Sequence, residues 1–275
     1  MNINRHPFNT KTASLRYEDS LERQEELLKR FTNGKYNVMG EAFGLAIKNF
    51  SYSVALAESK EKILQRLSVL VEMGVILYKT FSYMGNNIAV TLQGNEYRFR
   101  LDKLYYRPSY QGFLITFHAA IIAQHKSAIN GLGAFNLEPL KNEAFTPSDE
   151  YAMHYAKFLQ DLYLKEAPHL KQLITASEAI NEEKMQPHSF DFALRTVGPQ
   201  IDLFTSLLTE DEESFNRQLP VALNLHAQYY ARTEDDTNST DAIISIALSA
   251  IKRLALTQGF KVAANSDYLT EQLFD

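Results

Sequence analysis

The stretch from Phe192 to Tyr230 constrains the fold more than any other part of this chain. In its first half Leu194, Val197, Ile201, Phe204 and Leu208 recur at steps of three and four residues, the spacing that gathers side chains on one helical face. That face is expected to be buried. The Gly198-Pro199 pair interrupts the pattern, because proline lacks an amide donor and disfavours helix in the residue before it, so the helix is expected to start at Pro199. Thr209-x-x-Glu212 then has the form of a capping box and predicts the start of a second helix. Phe215, Leu219, Ala222, Leu223, His226, Tyr229 and Tyr230 form the expected buried stripe of that helix, with Pro220 kinking it. The result is two antiparallel helices joined by a short acidic turn.

Helical periods dominate the rest of the chain. Ser14 to Phe31, sparse in apolar residues (Leu15, Leu21, Leu27 or Leu28, Phe31), predicts an exposed first helix ended by Asn33-Gly34. Val38 to Ala57 (Phe43, Ile47, Phe50, Val54, Ala57) and Lys60 to Tyr83 (Ile63, Leu67, Leu70, Val71, Leu77, Phe81) predict a helical hairpin. Gly74 sits within the second of these, where it is tolerable if another helix approaches closely. Ile88, Val90 and Leu92, then Gln93-Gly94-Asn95, then Tyr97, Phe99 and Leu101 predict a β-hairpin with its apolar face on the helices and Glu96, Arg98 and Arg100 outward. Tyr105, Tyr106 and Tyr110 lead into an apolar helix expected from Pro108 to Ile129. Residues 134 to 146 are the least patterned and suggest a boundary. Thr146-Pro147 predicts a helix to Lys165, with Ala152, Tyr155, Phe158, Leu159 and Leu162 inward, and a shorter one spans Pro168 to Ile180. After an acidic loop at Thr233 to Thr240, a last long helix is expected from Asp241 to Gln258. No repeat of fixed period is present.

The predicted fold is therefore mostly α, an irregular array of antiparallel helix pairs with one inserted β-hairpin at about 88–101. An N-terminal half, 1–135, and a C-terminal half, 146–275, are expected to pack as one compact unit. A chain of 275 residues can bury a sizeable core without staples. Cysteine is absent, the first residues are too polar for a signal peptide, and no apolar run approaches a membrane span. A soluble cytoplasmic protein is expected.

Chemistry has few footholds. The histidines are His6, His118, His125, His154, His169, His188 and His226, and only His118 and His125 are expected to share a helical face, ~10 Å apart along the axis. That is too far for one metal without further ligands. Nucleotide-binding glycine loops, zinc-protease histidine pairs and nucleophile elbows are absent, so no enzyme activity and no cofactor are expected. Charge is more informative. Residues 1–110 carry +5, residues 111–208 carry −4 and residues 209–275 carry −6. Glu210, Asp211, Glu212 and Glu213 suit a helix start, where the dipole favours carboxylates. Glu234, Asp235 and Asp236 follow the same helix, where the dipole opposes them, so a basic partner is the expected reason for their presence. From residue 211 to residue 235 the helical rise is ~36 Å, which makes these two patches rather than one.

Pro199-x-Ile201-x-Leu203-Phe204-x-x-Leu207-Leu208, Asp211, Phe215-Asn216, Leu219, Ala222-Leu223-x-Leu225-His226, Tyr229-Tyr230 and Ser266-Asp267-Tyr268-Leu269 resemble the immunity protein 49 family of bacterial polymorphic-toxin systems. The resemblance extends over roughly Tyr151 to Leu273, and Pro220 departs from its pattern. It implies a cytoplasmic helical protein, without catalysis, that binds a cognate antibacterial toxin, often a nuclease, and blocks it; nucleic acid is not contacted directly. The alternative from another class is a helical adaptor holding a peptide or protein partner in a groove between helix pairs. Partner-binding residues are expected among Glu210, Asp211, Glu212, Glu213, Glu234, Asp235 and Asp236, or on the aromatic loop of Tyr105, Tyr106 and Tyr110.

Overall fold

A computed structural model describes residues 2–274 except 104, 105, 107, 145–149, 165–168, 234–236 and 238, with the side chains of 142–144 and 169 also outside the description. The chain is mostly α-helical, with one antiparallel two-stranded sheet and one short parallel bridge. It divides into two compact units, Asn9–Ala144 and Met1–Phe8 with Phe145–Asp275.

In the unit of residues 9–144 the first helix, α1, spans Thr10–Thr32, capped by Asn9, whose Oδ1 accepts from the Thr12 amide at 2.9 Å. It is not the exposed helix expected. Ala13, Tyr17, Ser20, Gln24, Leu27 and Phe31 alternate at four and three residues and are buried, whereas Leu15 is 57% exposed. The stripe escapes an apolar count because Ser20 and Gln24 at its centre are polar: Gln24 Oε1 accepts from Asn49 Nδ2 at 2.8 Å, across to the next helix. That helix, α2, spans Met39–Ala55 and forms the expected hairpin with α3, Lys60–Ser82. A Cβ on Gly74 of α3 would lie 2.3 Å from Thr116 Oγ1, so the glycine marks the place where a later helix approaches its backbone.

The strands β2 (Asn87–Leu92) and β3 (Asn95–Arg100) pair antiparallel with Leu92 opposite Asn95, leaving a two-residue turn in which Gln93 and Gly94 both have positive φ. Twist compatibility favours that turn. Ile88, Val90, Leu92 and Phe99 are buried, and Phe99 stacks on Tyr36 at 4.0 Å beside the edge of Phe31. The outward Arg98 and Arg100 pair with Glu96 and Asp102 at 2.6 and 2.7 Å.

One expected helix is two. The apolar segment splits into α4 (Tyr110–Ile122) and α5 (Lys126–Gly133). Gln124 takes φ +51°, the His125 amide closes back on Ala120 O at 2.9 Å, and the His125 ring then caps α5 by accepting from the Ala128 amide. This six-to-one closure ends a helix without glycine or proline, which is why periodicity runs through it. His118 and His125 therefore lie on different helices. The segment expected to lack pattern holds a further helix, α6, at Glu138–Ala144.

In the other unit α7 (Glu150–Leu164) packs along α8 (His169–Ala179), and the expected Thr146-Pro147 start lies outside the described residues. Pro187–Phe192 (α9) passes through a π turn, Ala193–Val197, straight into α10, Gly198–Leu208. The widened turn lets Pro199 remain helical although its ring opposes the carbonyl four residues back. It also shifts the buried face: Ala193, Thr196 and Val197 point inward and Leu194 is 51% exposed, contrary to its expected burial. Helix α11 spans Glu212–Tyr230, continues through Pro220, and buries Phe215, Leu219, Ala222, Leu223 and His226, with Tyr229 and Tyr230 only half-buried.

The expected last helix is also broken. Thr240–Ile243 (α12) and Ile246–Thr257 (α13) are separated at Ile244, which is extended, and Ser245, whose amide donates to Tyr268 O at 2.8 Å and whose Oγ caps α13. The tail then returns across the unit. Its strand β4 (Asn265–Ser266) pairs parallel with β1 (Asn2–Ile3), and Ser266 Oγ donates to Ile3 O at 2.7 Å.

Candidate functional site: the two ends of α11

The acidic run at the start of α11 is built by two successive caps. Thr209 is the C-cap that follows α10, and its hydroxyl donates back to Thr205 O at 2.9 Å, so it does not form the expected capping box. Glu210 follows with φ +55°, and the Asp211 amide returns to Ser206 O at 2.9 Å. Asp211 is the cap itself, its Oδ1 accepting from the Ser214 amide at 2.9 Å. That backbone bond, then the one from the Ser214 hydroxyl, holds the Asp211 pKa below its ordinary value. Glu212 and Glu213 occupy the first turn of α11, and Glu213 faces Arg217 at 3.4 Å. Glu210, Asp211 and Glu213 are exposed and Glu212 half-exposed. Asp202, six residues before the end of α10, has its pKa raised by partial burial.

At the other end of α11, ~27 Å along the axis at 1.5 Å per residue, lies a cluster that composition did not single out. Asp191 pairs with Arg195 at 2.7 Å and with Arg232. The Arg232 guanidinium lies over the Tyr229 ring at 3.9 Å, and Phe192 meets the same ring edge-on at 5.5 Å. Leu194 is exposed in the neighbouring turn. A visible signal was the Asp191–Arg195 spacing of four. Glu234, Asp235 and Asp236, expected next to this end, lie outside the described residues.

The aromatic loop belongs to the unit of residues 9–144. Tyr110 is a core residue at 5% exposure, its hydroxyl 3.3 Å from Leu137 O, so it offers no surface to a partner as had been expected. Tyr106 is 36% exposed and lies against the Gly40 backbone, where a Cβ would come within 2.2 Å of its ring. Tyr105 is outside the described residues.

The histidines are dispersed. His118 is buried, which pushes its pKa down to about 3; His226 is buried, its Nε2 without a hydrogen-bond partner among the described residues, and its pKa is pushed down to about 4, again chiefly by burial. His6 bridges Tyr268 Oη at 2.8 Å and Thr237 O at 2.9 Å. His154 contacts Gln172 at 3.0 Å. No group of three His, Cys, Asp or Glu side chains among the described residues converges as a metal site would require, and no helix among them is long and apolar enough to cross a membrane.

Several residues that carry the family resemblance act as fasteners. Phe215 meets Phe260 edge-on at 5.7 Å, and Asn216 binds the tail twice, accepting from the Ala263 amide at 2.8 Å and donating to Lys261 O at 3.0 Å. Tyr268 is fully buried between His6, His226 and Ser245. Neither the curated proteins nor the solved structures give a match. The family model described as immunity protein 49 matches residues 54–273, reaching well before Tyr151 and taking in the helical hairpin's second helix, the β-hairpin, the α10–α11 pair and the returning tail. By that match over most of its length, this chain belongs to the immunity protein 49 family.

Proposed function

We propose that this protein binds a cognate antibacterial toxin in the cytoplasm and neutralises it by forming a direct complex, without catalysis of its own. Membership of the immunity protein 49 family is the observation that carries this reading. The state of the ionisable groups supports it: His118 and His226 are buried neutral, Asp211 is a helix cap, and Asp191, Arg195 and Arg232 bind one another. The toxin would present a basic face, as a nuclease does towards phosphate. That face would meet the acidic start of α11 at Glu210–Glu213 and, separately, the acidic residues Glu234, Asp235 and Asp236, because complementary potentials speed encounter and set register. Tyr106 is a secondary contact. Arg98 and Arg100, each paired with a carboxylate, give little support to nucleic-acid binding by this chain.

The test is co-expression with the toxin gene adjacent to its own. Growth should be restored and the two purified proteins should co-elute as a stoichiometric complex. Restored growth with no complex, and with the toxin chemically altered, would replace this reading by an enzymatic one.

A further inference from the structure

One edge of the β-hairpin is left open. In an antiparallel ladder, opposed residues alternate between pairs that exchange both main-chain hydrogen bonds and pairs that exchange none. The two-residue turn makes Leu92 and Asn95 a bonded pair, so Leu92, Val90 and Ile88 turn their main-chain groups towards β3 and Thr91, Ala89 and Asn87 turn theirs outward. Lys79 on α3 marks that direction, since its Nζ donates to Ala89 O at 2.6 Å. The amide of Ala89 and both main-chain groups of Thr91 have no partner among the described residues, and both residues are exposed.

This edge lines a groove of about 370 Å³. Helix α3 contributes Val71, Val75 and Ile76 to it, and the start of α5 contributes His125 and Ser127. The solvent face of β3 carries Glu96, Arg98 and Arg100, charges of the kind that keep strands from pairing, whereas the matching positions of β2 are Asn87, Ala89 and Thr91.

Two observations specify the occupant. Main-chain donors and acceptors repeated every second residue along a strand are matched by another extended polypeptide, which is how strand addition gains affinity. Lys79 has no carboxylate partner among the described residues, while the nearby Glu72 has its oxygens engaged by Ser68 Oγ at 3.0 Å and the Gln93 amide at 2.7 Å. We propose that the β2 edge takes up an extended segment of the cognate toxin as a third strand, with an acidic side chain of that segment paired to Lys79. Apolar side chains on one face of the segment would fill the groove beside Val75. The start of α5 lines the groove only through His125, Ser127 and Ala128, so the occupant is an extended segment, and a second copy is an outcome of the test. This inference rests on the toxin-binding reading above. It concerns a surface separate from the acidic start of α11.

The test uses the full chain and the toxin domain encoded beside it, rendered inactive. Thr91→Pro removes an outward amide without touching the hairpin's own bonds, and Lys79→Glu reverses the free charge; Arg98→Ala on the other strand is the control. The expected result is a Kd raised at least tenfold by Thr91→Pro and severalfold by Lys79→Glu, unchanged by Arg98→Ala, with the amides of Ala89 and Thr91 gaining protection from hydrogen exchange in the complex. If Thr91→Pro fails to fold, Lys79→Glu and the exchange measurement decide. Wild-type binding retained within twofold by folded Thr91→Pro and Lys79→Glu, with no protection at residues 89 and 91, overturns the groove and leaves the toxin-binding reading standing. Absence of any wild-type complex overturns that reading and the groove with it. A toxin-free dimer that protects the same two amides overturns the choice of occupant.

Discussion

Lys252 brings a charge into the interior of its unit at 3% exposure, where its ammonium reaches Ala264 O, Asn265 Oδ1 and both Glu271 carboxylate oxygens at 2.7–3.2 Å. Removing one partner of a buried pair leaves the other desolvated and uncompensated. Lys252→Met is therefore expected to cost about 3 kcal/mol of stability. Glu271→Gln should cost at least as much, because it leaves the Lys252 ammonium buried with its charge uncompensated, whereas the Glu271 carboxylate left by Lys252→Met is one-third exposed and reached by water. Chemical denaturation of the two variants checks the order. The buried histidines make a second prediction. Their native pKa values are pushed down to about 3 and about 4, while in the unfolded chain they titrate near 6.5. The unfolded state thus takes up protons first as pH falls, so stability is fully present above pH ~6.5 and declines towards pH 4, approaching about 1.4 kcal/mol per histidine per pH unit. Denaturation midpoints measured between pH 7.5 and 4.5 should fall accordingly, and His118→Gln should flatten the decline.

Among the elements, the crossing of α3 and α4 is the most sensitive to size. Alanine is the better helix former by up to ~1 kcal/mol, yet a methyl group at Gly74 collides with Thr116, so Gly74→Ala should destabilise by about 1–3 kcal/mol. Thr116→Ala in the same chain should recover part of that loss, which a double-mutant cycle measures. The close approach was legible in the sequence because a glycine inside a strong helical period needs a reason. The β-hairpin and the α2–α3 pair were legible as well, since alternation and helical period are local properties. The breaks at Gln124 and Ile244-Ser245 were not, because neither uses glycine or proline: the first closes through the His125 amide on Ala120 O, and the second is fixed by the Ser245 amide on the distant Tyr268 O. The polar stripe of α1 hid for a related reason: Gln24 is buried against Asn49, a partner 25 residues away. For the candidate site, the acidic residues were visible in the sequence but their roles were not, since the cap passed from Thr209 to Asp211 once Glu210 had taken the left-handed turn. Tyr110 was misplaced because an aromatic next to a loop looks the same whether it faces in or out.

Charge acts on the scale of the whole molecule, through the field that a partner meets before contact. Reversing Glu212 and Glu213 together to lysine should slow association with the toxin severalfold and flatten its dependence on salt, with dissociation little changed, because rim charges act mainly on encounter. Stopped-flow rates across a salt titration provide the check; equal rates for wild type and variant at every salt concentration would reduce the cluster to a solvated helix start.

The parallel pairing of Asn2–Ile3 with Asn265–Ser266 joins residues about 260 positions apart, and Tyr268 locks the same strand through His6. During synthesis, then, residues 9–144 have all of their own partners long before residues 2–8 have theirs. At roughly 5–20 residues per second the first strand waits on the order of ten seconds or more for its mate to leave the ribosome. A nascent chain arrested after residues 9–144 have emerged but before residue 265 would hold one finished unit and one lacking its fastening strand. Closure of that unit therefore waits until residues 265–268 have been made, however early its helices form.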